Sequence, residues 1–261
     1  MDSETVLLRR EANEIRITIN RPARRNALNR EVAEQIIAGI AQAEADPDCR
    51  VIVLTGAGDQ AFCAGGDIKA GSDGGPFVTD PSQPGNFAGQ LIEALNACRK
   101  PTLARVNGAA VGGGAGIVCA CDVAVMADHA RIGTPEVAIG LFPLMIMPPM
   151  MRILPRRKLL EMFLTGVPLT AEEALRYNVV NYVTDAAGLD AKVAELVALI
   201  SAQSPTAIRM GKYAYQAMDA MAFSQQMRLG ETVLPRLAQT EDAREGFAAF
   251  VEKRKPNWTG R

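Results

Sequence analysis

A run of glycines between a predicted strand and a predicted helix is the first feature of this sequence that could do chemistry. Residues 112–114 are all glycine; they follow the apolar segment Thr102–Val106 and precede the small apolar residues 115–120. Glycine lacks a Cβ atom, so a ligand can approach the backbone closely, and the N–H groups at the start of a helix favour negative charge. The pattern predicts a place for a carbonyl oxygen that becomes an enolate, although glycines also serve simply to pack a helix tightly on a sheet.

A second glycine turn and one glutamate complete the set of candidate groups. Gly65 and Gly66 follow the apolar residues 61–63, and Glu136 follows Pro135 beyond another short predicted strand. Glycine turns at successive strand ends can face one pocket, and a carboxylate beside that pocket can act as a general acid or base. The alternative role for Glu136 is that of a helix cap or a surface carboxylate.

Several other chemistries do not fit the sequence. The dinucleotide motif G-x-G-x-x-G fails because Ile117 stands where the last glycine is required, and the nucleotide P-loop fails because Gly114 replaces its lysine. The single histidine, His129, lies in a polar turn, so it cannot form an HExxH zinc site. A Ser-His-Asp triad would have to use this one residue. Acid–base chemistry is therefore expected mainly from carboxylates or water.

The composition is that of an ordinary globular protein without a strong charge bias. The 261 residues include 28 Lys and Arg against 29 Asp and Glu, a net charge of −1, so a nucleic-acid-binding role has no basic surface to support it. Five cysteines without CxxC spacing fit reduced thiols better than disulfides or a zinc site. No signal pattern or membrane-spanning apolar run is visible, and we predict a cytoplasmic protein without metal.

The elements that must position these groups alternate along the chain. Strands are predicted at residues 6–8, 15–19, 51–54, 102–106, 122–126, 130–133 and 179–183, and helices at 30–45 and 86–98. This order predicts an α/β spiral of repeated ββα turns, with a core over residues 1–187. Residues 188–261 are predicted to be helical, with breaks near 204–205 and near Pro235. Their apolar residues lie on more than one face, which indicates a partner.

Six segments, taken in order, resemble the crotonase superfamily, the enoyl-CoA hydratase/isomerase family, over nearly the whole chain. The segments are residues 21–28, 61–69, 106–114, 120–122, 135–141 and 164–166. The resemblance implies a crotonase-like spiral of ββα units with a C-terminal helical trimerisation region, assembled as a homotrimer or as a hexamer that is a dimer of trimers. It also implies an acyl-CoA thioester substrate, with coenzyme A present only as part of that substrate and with no other cofactor.

The resemblance also assigns site residues by position. The oxyanion hole, which stabilises the enolate, falls on the backbone N–H groups of Gly66 and Gly113, and Glu136 is the catalytic acid. The segments that contact CoA are Arg25, Ala27 and Leu28 together with Ala64, Gly65, Asp67 and Ile68. Arg25 either meets a CoA phosphate or is a solvated surface arginine.

The sequence departs from the family pattern at one acid. Hydratases of the family carry two glutamates, but here the first position is Gly116 and only the second, Glu136, is kept. Two carboxylates share the work of hydration, whereas one suits a proton shift between carbons. Because hydratases are the most populous members, we predict an enoyl-CoA hydratase of fatty-acid or related acyl-CoA catabolism, a lyase. The alternatives are a Δ3-Δ2-enoyl-CoA isomerase and a catalytically altered CoA-ester-binding protein.

Two further points stay open in the sequence. Asp73 or Glu93 could supply the missing acid from a loop or a helix. The acyl chain is not identified, since the pocket width depends on the Met- and Pro-rich residues 141–154 and on the Gly-rich loop 71–85, a possible cover of the site.

Overall fold

The computed structural model describes residues 4–68 and 85–261. Asp73 and the other residues 71–84 of the predicted covering loop lie outside these ranges. The strands are β1 Val6–Glu11, β2 Glu14–Ile19, β3 Val51–Gly56, β4 Ala61–Cys63, β5 Thr102–Val106, β6 Ala109–Val111, β7 Val123–Ala127, β8 Arg131–Gly133, β9 Leu169–Thr170 and β10 Tyr182–Thr184. The helices are α1 Arg30–Ala45, α2 Phe87–Ala97, α3 Gly113–Ala120, α4 Met147–Met151, α5 Arg156–Thr165, α6 Ala171–Arg176, α7 Leu189–Ser201, α8 Pro205–Met218, α9 Phe223–Ala238 and α10 Glu241–Glu252.

The strands form two sheets, and successive segments of the chain contribute one strand to each sheet. A six-stranded sheet has the order β1-β2-β3-β5-β7-β10, and a four-stranded sheet has the order β4-β6-β8-β9. The chain passes from β3 to β4 to α2, from β5 to β6 to α3, and from β7 to β8 to α4. Each passage gives one strand to each sheet and then a helix, so the predicted α/β spiral of ββα turns is confirmed.

The core elements form for reasons that are visible in their residues. Every residue of β3 is buried, as expected for a parallel strand that is covered on both faces. Helix α1 begins where the Asn29 side chain accepts a hydrogen bond from the Val32 N–H at 2.9 Å. Its buried face carries Val32, Ile36 and Ile40, at the spacing of an amphipathic helix.

The structure corrects three local predictions. The chain does not pass directly from β5 into the glycine turn, because the short strand β6 lies between them. The last strand is Tyr182–Thr184 rather than 179–183. Pro235 does not break the helical region, since it lies inside α9. Glu231, whose carbonyl would pair with the N–H that proline lacks, is exposed, so water can satisfy that carbonyl. The breaks lie on either side of α9. One is at residues 219–222, where the Gln225 side chain accepts a bond from the Ala222 N–H at 3.0 Å, and the other is at residues 239–240, close to Pro235.

The C-terminal helices differ in what they pack against. Helix α7 contributes Leu189, Val193 and Leu196 to the main core and contacts strands of the six-stranded sheet. Helices α9 and α10 instead carry exposed apolar side chains, which include Phe250 with 85% of its surface exposed. The division at residue 188 stays a prediction. In the described residues, no helix combines the length and the apolar character needed to cross a membrane.

Candidate active site

The two glycine turns meet at one edge of the four-stranded sheet. Strands β4 and β6 are parallel neighbours, so Gly65 and Gly112 leave the sheet side by side. Both have positive φ values, 88° and 52°, a backbone conformation that favours glycine. A Cβ atom on Gly112 would lie 3.7 Å from the Cα of Gly65, and one on Gly65 would lie 3.0 Å from the carbonyl oxygen of Val111. The turns are therefore in contact, and neither has room for a side chain.

The N–H groups of Gly66 and Gly113 lie beside this contact. The Leu28 N–H donates to the Gly65 carbonyl, and the Asp67 N–H donates to the Leu28 carbonyl, both at 2.7 Å. Since backbone groups along a strand alternate in direction, the N–H of Gly66 points away from Leu28. Gly113 is the first residue of α3, ahead of the bond from the Gly116 N–H to the Gly112 carbonyl at 3.1 Å. Its N–H has no place in the helical ladder.

Glu136 reaches the same edge from the next turn of the spiral. Strand β8 is parallel to β6, with Gly133 beside Val111, and the chain then forms a short 3-10 turn, Pro135–Ile139. A Cβ atom on Gly112 would lie 3.0 Å from Oε1 of Glu136. The carboxylate therefore lies directly against the glycine turn.

The electrostatic environment of Glu136 suits proton transfer. Burial raises the pKa of its carboxyl above the usual 4.5, and a bond from its own backbone N–H lowers that pKa by a smaller amount. In the described part of the chain, three buried side-chain polar atoms lack a hydrogen-bond partner, and Oε2 of Glu136 is one of them. Another is Oγ1 of Thr134, two residues earlier. Unpaired polar atoms at this depth are costly, and they are typical of functional sites.

The position of the first family glutamate is closed by packing. A Cβ atom on Gly116 would lie 2.3 Å from Cγ2 of Ile146, 2.7 Å from Cβ of Ile146 and 3.4 Å from Cδ1 of Ile92. A glutamate does not fit there without displacing Ile146. Glu93, one of the two possible substitutes, is exposed on α2 and lines a separate cavity. Of the carboxylates in the described ranges, Glu136 is the one in contact with Gly112.

The two predicted CoA-binding segments lie edge to edge. The Ala64 N–H donates to the Arg25 carbonyl at 3.0 Å, which continues the pairing of Leu28 with Gly65 and Asp67. The side chains of Arg25 and Ile68 are exposed, whereas Ala27, Leu28 and Asp67 are buried. The structure thus brings these residues together beside the glycine site.

The interior of these segments is held by polar residues whose roles the sequence analysis missed. The Arg21 guanidinium donates to the Asp67 carboxylate at 2.8 Å and to the Ala27 carbonyl at 2.6 Å. The Asn26 side-chain amide donates to the Ala61 carbonyl at 2.7 Å and is 1% exposed. The charge of Asp67 is therefore balanced inside the protein. The only signal in the sequence was the placement of these residues within the family-like segments.

A cavity of about 650 Å³ lies at the far end of α3. Its lining includes Ile92, Met145, Asp122 and Lys212. Asp122 accepts bonds from the Thr102 N–H at 2.7 Å and from Nζ of Lys212 at 2.6 Å, so it ties β5 to α8. Gly66, Gly113 and Glu136 are not among the residues that line this cavity.

Comparisons with known proteins find relatives over nearly the whole chain. The family model of the enoyl-CoA hydratases/isomerases matches residues 9–261. A carnitinyl-CoA dehydratase from Escherichia coli is 38% identical over 267 residues, covering 99% of this chain and 100% of that protein. A Mycobacterium bovis protein named "probable enoyl-CoA hydratase" is 35% identical, with both chains covered completely. The crystal structure of an enoyl-CoA hydratase from Bacillus anthracis superposes with a TM-score of 0.90 at 26% identity, covering 99% of this chain and 100% of that one.

Proposed function

Since the chain belongs to the enoyl-CoA hydratase/isomerase family, we propose that it is an enoyl-CoA hydratase, which adds water to a 2-enoyl-CoA or removes it from the 3-hydroxyacyl-CoA. The observation that carries this proposal is the carboxylate of Glu136, which lies against the Gly112 turn with one oxygen buried and unpaired. Burial raises the pKa of this carboxyl towards neutral pH, and a general acid or base works best when its pKa lies near the working pH.

In the proposed mechanism, the backbone N–H groups of Gly66 and Gly113 bind the thioester oxygen. Glu136 accepts a proton from water while the hydroxide adds to C3 of the enoyl group, and the electron pair of the double bond moves to the thioester oxygen. The resulting enolate is stabilised by the two N–H groups. Glu136 then returns its proton to C2, which restores the carboxylate and gives the 3-hydroxyacyl-CoA.

Hydration is favoured by the names of two relatives. A protein named carnitinyl-CoA dehydratase at 38% identity and one named probable enoyl-CoA hydratase at 35% identity, both matched over their full length, are named for the removal and the addition of water. Fatty-acid or related acyl-CoA catabolism is the setting we propose for it.

A second candidate is supported by the packed Gly116 position, because a single carboxylate suffices for double-bond migration. In that reaction Glu136 removes a proton from C2 of a 3-enoyl-CoA and returns it to C4, so that the double bond moves from C3–C4 to C2–C3. A third possibility, a CoA-ester-binding protein without turnover, would leave the buried and unpaired Oε2 atom of Glu136 without a use.

The proposal also covers the assembly, the cofactors and the location of the protein. We propose a homotrimer or a hexamer, because α9 and α10 expose apolar side chains that a second copy could cover. We expect no cofactor other than the coenzyme A of the substrate. The five free, buried cysteines support a reducing, cytoplasmic location.

The test is a panel of 2-enoyl- and 3-enoyl-CoA esters incubated in water enriched in oxygen-18. Hydration places the heavy oxygen in the product, whereas migration leaves the mass unchanged and shifts the double bond. We expect incorporation with at least one 2-enoyl-CoA, and its loss in Glu136→Gln. Migration without incorporation would favour the isomerase, and CoA-ester binding without either reaction would contradict both enzymatic candidates.

A further inference from the structure

Gly116 and Ile146 form a contact beside the reacting centre. Gly116 lies three residues after Gly113 on α3, so the two residues lie on neighbouring parts of one helix face. Gly116 is buried, and Ile146 is 3% exposed. Ile92 of α2 also borders this position, since its Cδ1 atom would lie 3.4 Å from a Cβ atom on Gly116. An apolar wall therefore lies one helical turn below the N–H of Gly113.

This wall has little freedom to move. A Cβ atom at 2.3 Å from Cγ2 of Ile146 lies more than 1 Å inside the carbon–carbon contact distance of about 3.5 Å. Ile146 directly precedes α4, in which residues 148 and 149 are prolines with fixed φ angles. The N–H groups of Ile146 and Met147 both donate to the Pro143 carbonyl, at 3.3 and 2.9 Å. The backbone around Ile146 is thus held from both sides.

We infer that Ile146 is a specificity-determining residue, which keeps water and carboxylates out of the Gly116 side of the site and confines proton transfer to Glu136. The inference rests on the proposed function. With Ile146 in place, the reacting water has to enter from the Glu136 side, and the balance between water addition and double-bond migration depends on one carboxylate. Opening this wall and placing an acid behind it supplies a second group that can hold and deprotonate water.

The experiment uses the full-length chain and four variants. Ile146→Ala opens the space, and Gly116→Glu adds the acid without space. The double variant Gly116→Glu/Ile146→Ala combines the two changes. Its matched control, Gly116→Gln/Ile146→Ala, has the same shape without a carboxylate. Each is assayed for thermal melting, sedimentation, hydration of a 2-enoyl-CoA, migration in a 3-enoyl-CoA and exchange of the C2 proton in heavy water.

The melting data test the contact independently of activity. Ile146→Ala is expected to lower the melting temperature of the parent protein, because it leaves a cavity. In the Gly116→Glu background the same change is expected to raise the melting temperature, because it relieves the collision. A Gly116→Glu protein that melts as high as the parent would overturn the inference, since Ile146 would then not fill the space.

The activity data test the specificity role. We expect the ratio of hydration to migration in Gly116→Glu/Ile146→Ala to exceed that of the glutamine control by at least about tenfold, below the usual range for general acid–base catalysis. Equal ratios in the two folded double variants would overturn the inference. If neither double variant folds, the single variant Ile146→Ala is used instead. We then expect the ratio of hydration to migration to rise by about threefold or more, because water can enter the opened space. An unchanged ratio would overturn the specificity role of Ile146.

The failure of the proposed function gives a different result. A folded parent protein that neither hydrates, nor migrates the double bond, nor exchanges the C2 proton would refute the proposed chemistry and with it the specificity role. The reversal of the melting effect would persist in that case. Normal C2 exchange with unchanged ratios would refute the role of Ile146 alone.

Discussion

The replacement of Glu136 by glutamine should separate the chemical role of this carboxylate from its structural cost. The change keeps the size and a hydrogen-bonding group but removes the base. A loss of general acid–base catalysis lowers turnover by about 10² to 10⁴, which corresponds to roughly 2.7 to 5.4 kcal/mol of transition-state stabilisation. Binding of the CoA ester should be kept, because Glu136 lies against the Gly112 turn and not in the segments predicted to contact CoA.

The same variant should be more stable than the parent at neutral pH. Burial raises the pKa of Glu136 in the folded state above its unfolded value of 4.5. Between these two pKa values the folded protein binds more protons than the unfolded one, so the free energy of unfolding falls as the pH rises through that window. Glutamine does not titrate. Its stability advantage should therefore be absent below pH 4.5, grow as the pH rises through the folded-state pKa, and then stay constant.

The size of this advantage follows from the unpaired Oε2 atom. A buried polar group without a partner costs about 1–3 kcal/mol. The lower end applies here, since Glu136 is only about half-buried and the glutamine amide also lacks a partner. About 1 kcal/mol corresponds to a melting temperature roughly 2–4 °C higher for a chain of this size.

The assays are steady-state turnover of the best CoA ester, calorimetric binding of the same ester, and thermal melting from pH 4 to pH 8. Glu136→Asp is the matched control, because it keeps the charge but withdraws the carboxylate from the Gly112 turn. A folded Glu136→Gln protein with parental turnover would refute the catalytic role. Parental melting at every pH would refute the assigned desolvation.

Three further outcomes are expected. Gly113→Pro should lower turnover by about 10² or more, because it removes one N–H donor of the oxyanion hole. Gly113→Ala should lose far less turnover, because it keeps the N–H and displaces only Cδ1 of Leu28, which would lie 2.9 Å from the new Cβ. Equal losses of turnover in the two folded variants would count against the oxyanion hole. Sedimentation of the parent protein at micromolar concentration should show a trimer or a hexamer. Phe250→Asp changes a side chain with 85% of its surface exposed and should shift the protein towards smaller species. A purely monomeric parent would contradict the proposed assembly. A thiol reagent at pH 8 should leave the cysteines of the folded protein unmodified, since all five are buried and burial raises the pKa of Cys63 and Cys119 to about 12. Rapid labelling of these cysteines before unfolding would contradict the prediction.

Much of the fold could be predicted because its signals are local. Asn29 and the spacing of the apolar residues after it predict α1 to the residue, and the capping box of Thr170 and Glu173 marks the start of α6. The two glycine turns were expected to face one pocket because they follow successive strands, whereas Glu136 was assigned to the site by the resemblance to the family. Their assignment as catalytic groups stays a prediction.

The features that escaped prediction depend on contacts between distant parts of the chain. Nothing near Ile146 in the sequence shows that it packs against Gly116, because that contact exists only after α3 and α4 are docked. The pairing of Arg21 with Asp67 is equally remote in sequence. Proline usually interrupts a helix because it cannot pair with the carbonyl four residues earlier. Pro235 is nevertheless inside α9, where that carbonyl belongs to the exposed Glu231, and this exposure is not visible in the sequence.

The order in which the spiral passes through the four-stranded sheet has a consequence for how activity arises during folding. Gly66, Gly113 and Glu136 follow three different strands, β4, β6 and β8, which meet only through parallel pairing. Parallel pairing requires long crossovers, and contacts between distant segments form slowly. An N-terminal fragment that ends before β8 has both glycine turns but lacks Glu136. On the ribosome, the proposed catalytic site therefore cannot form until β8 has emerged and docked, when most of the strands are in place.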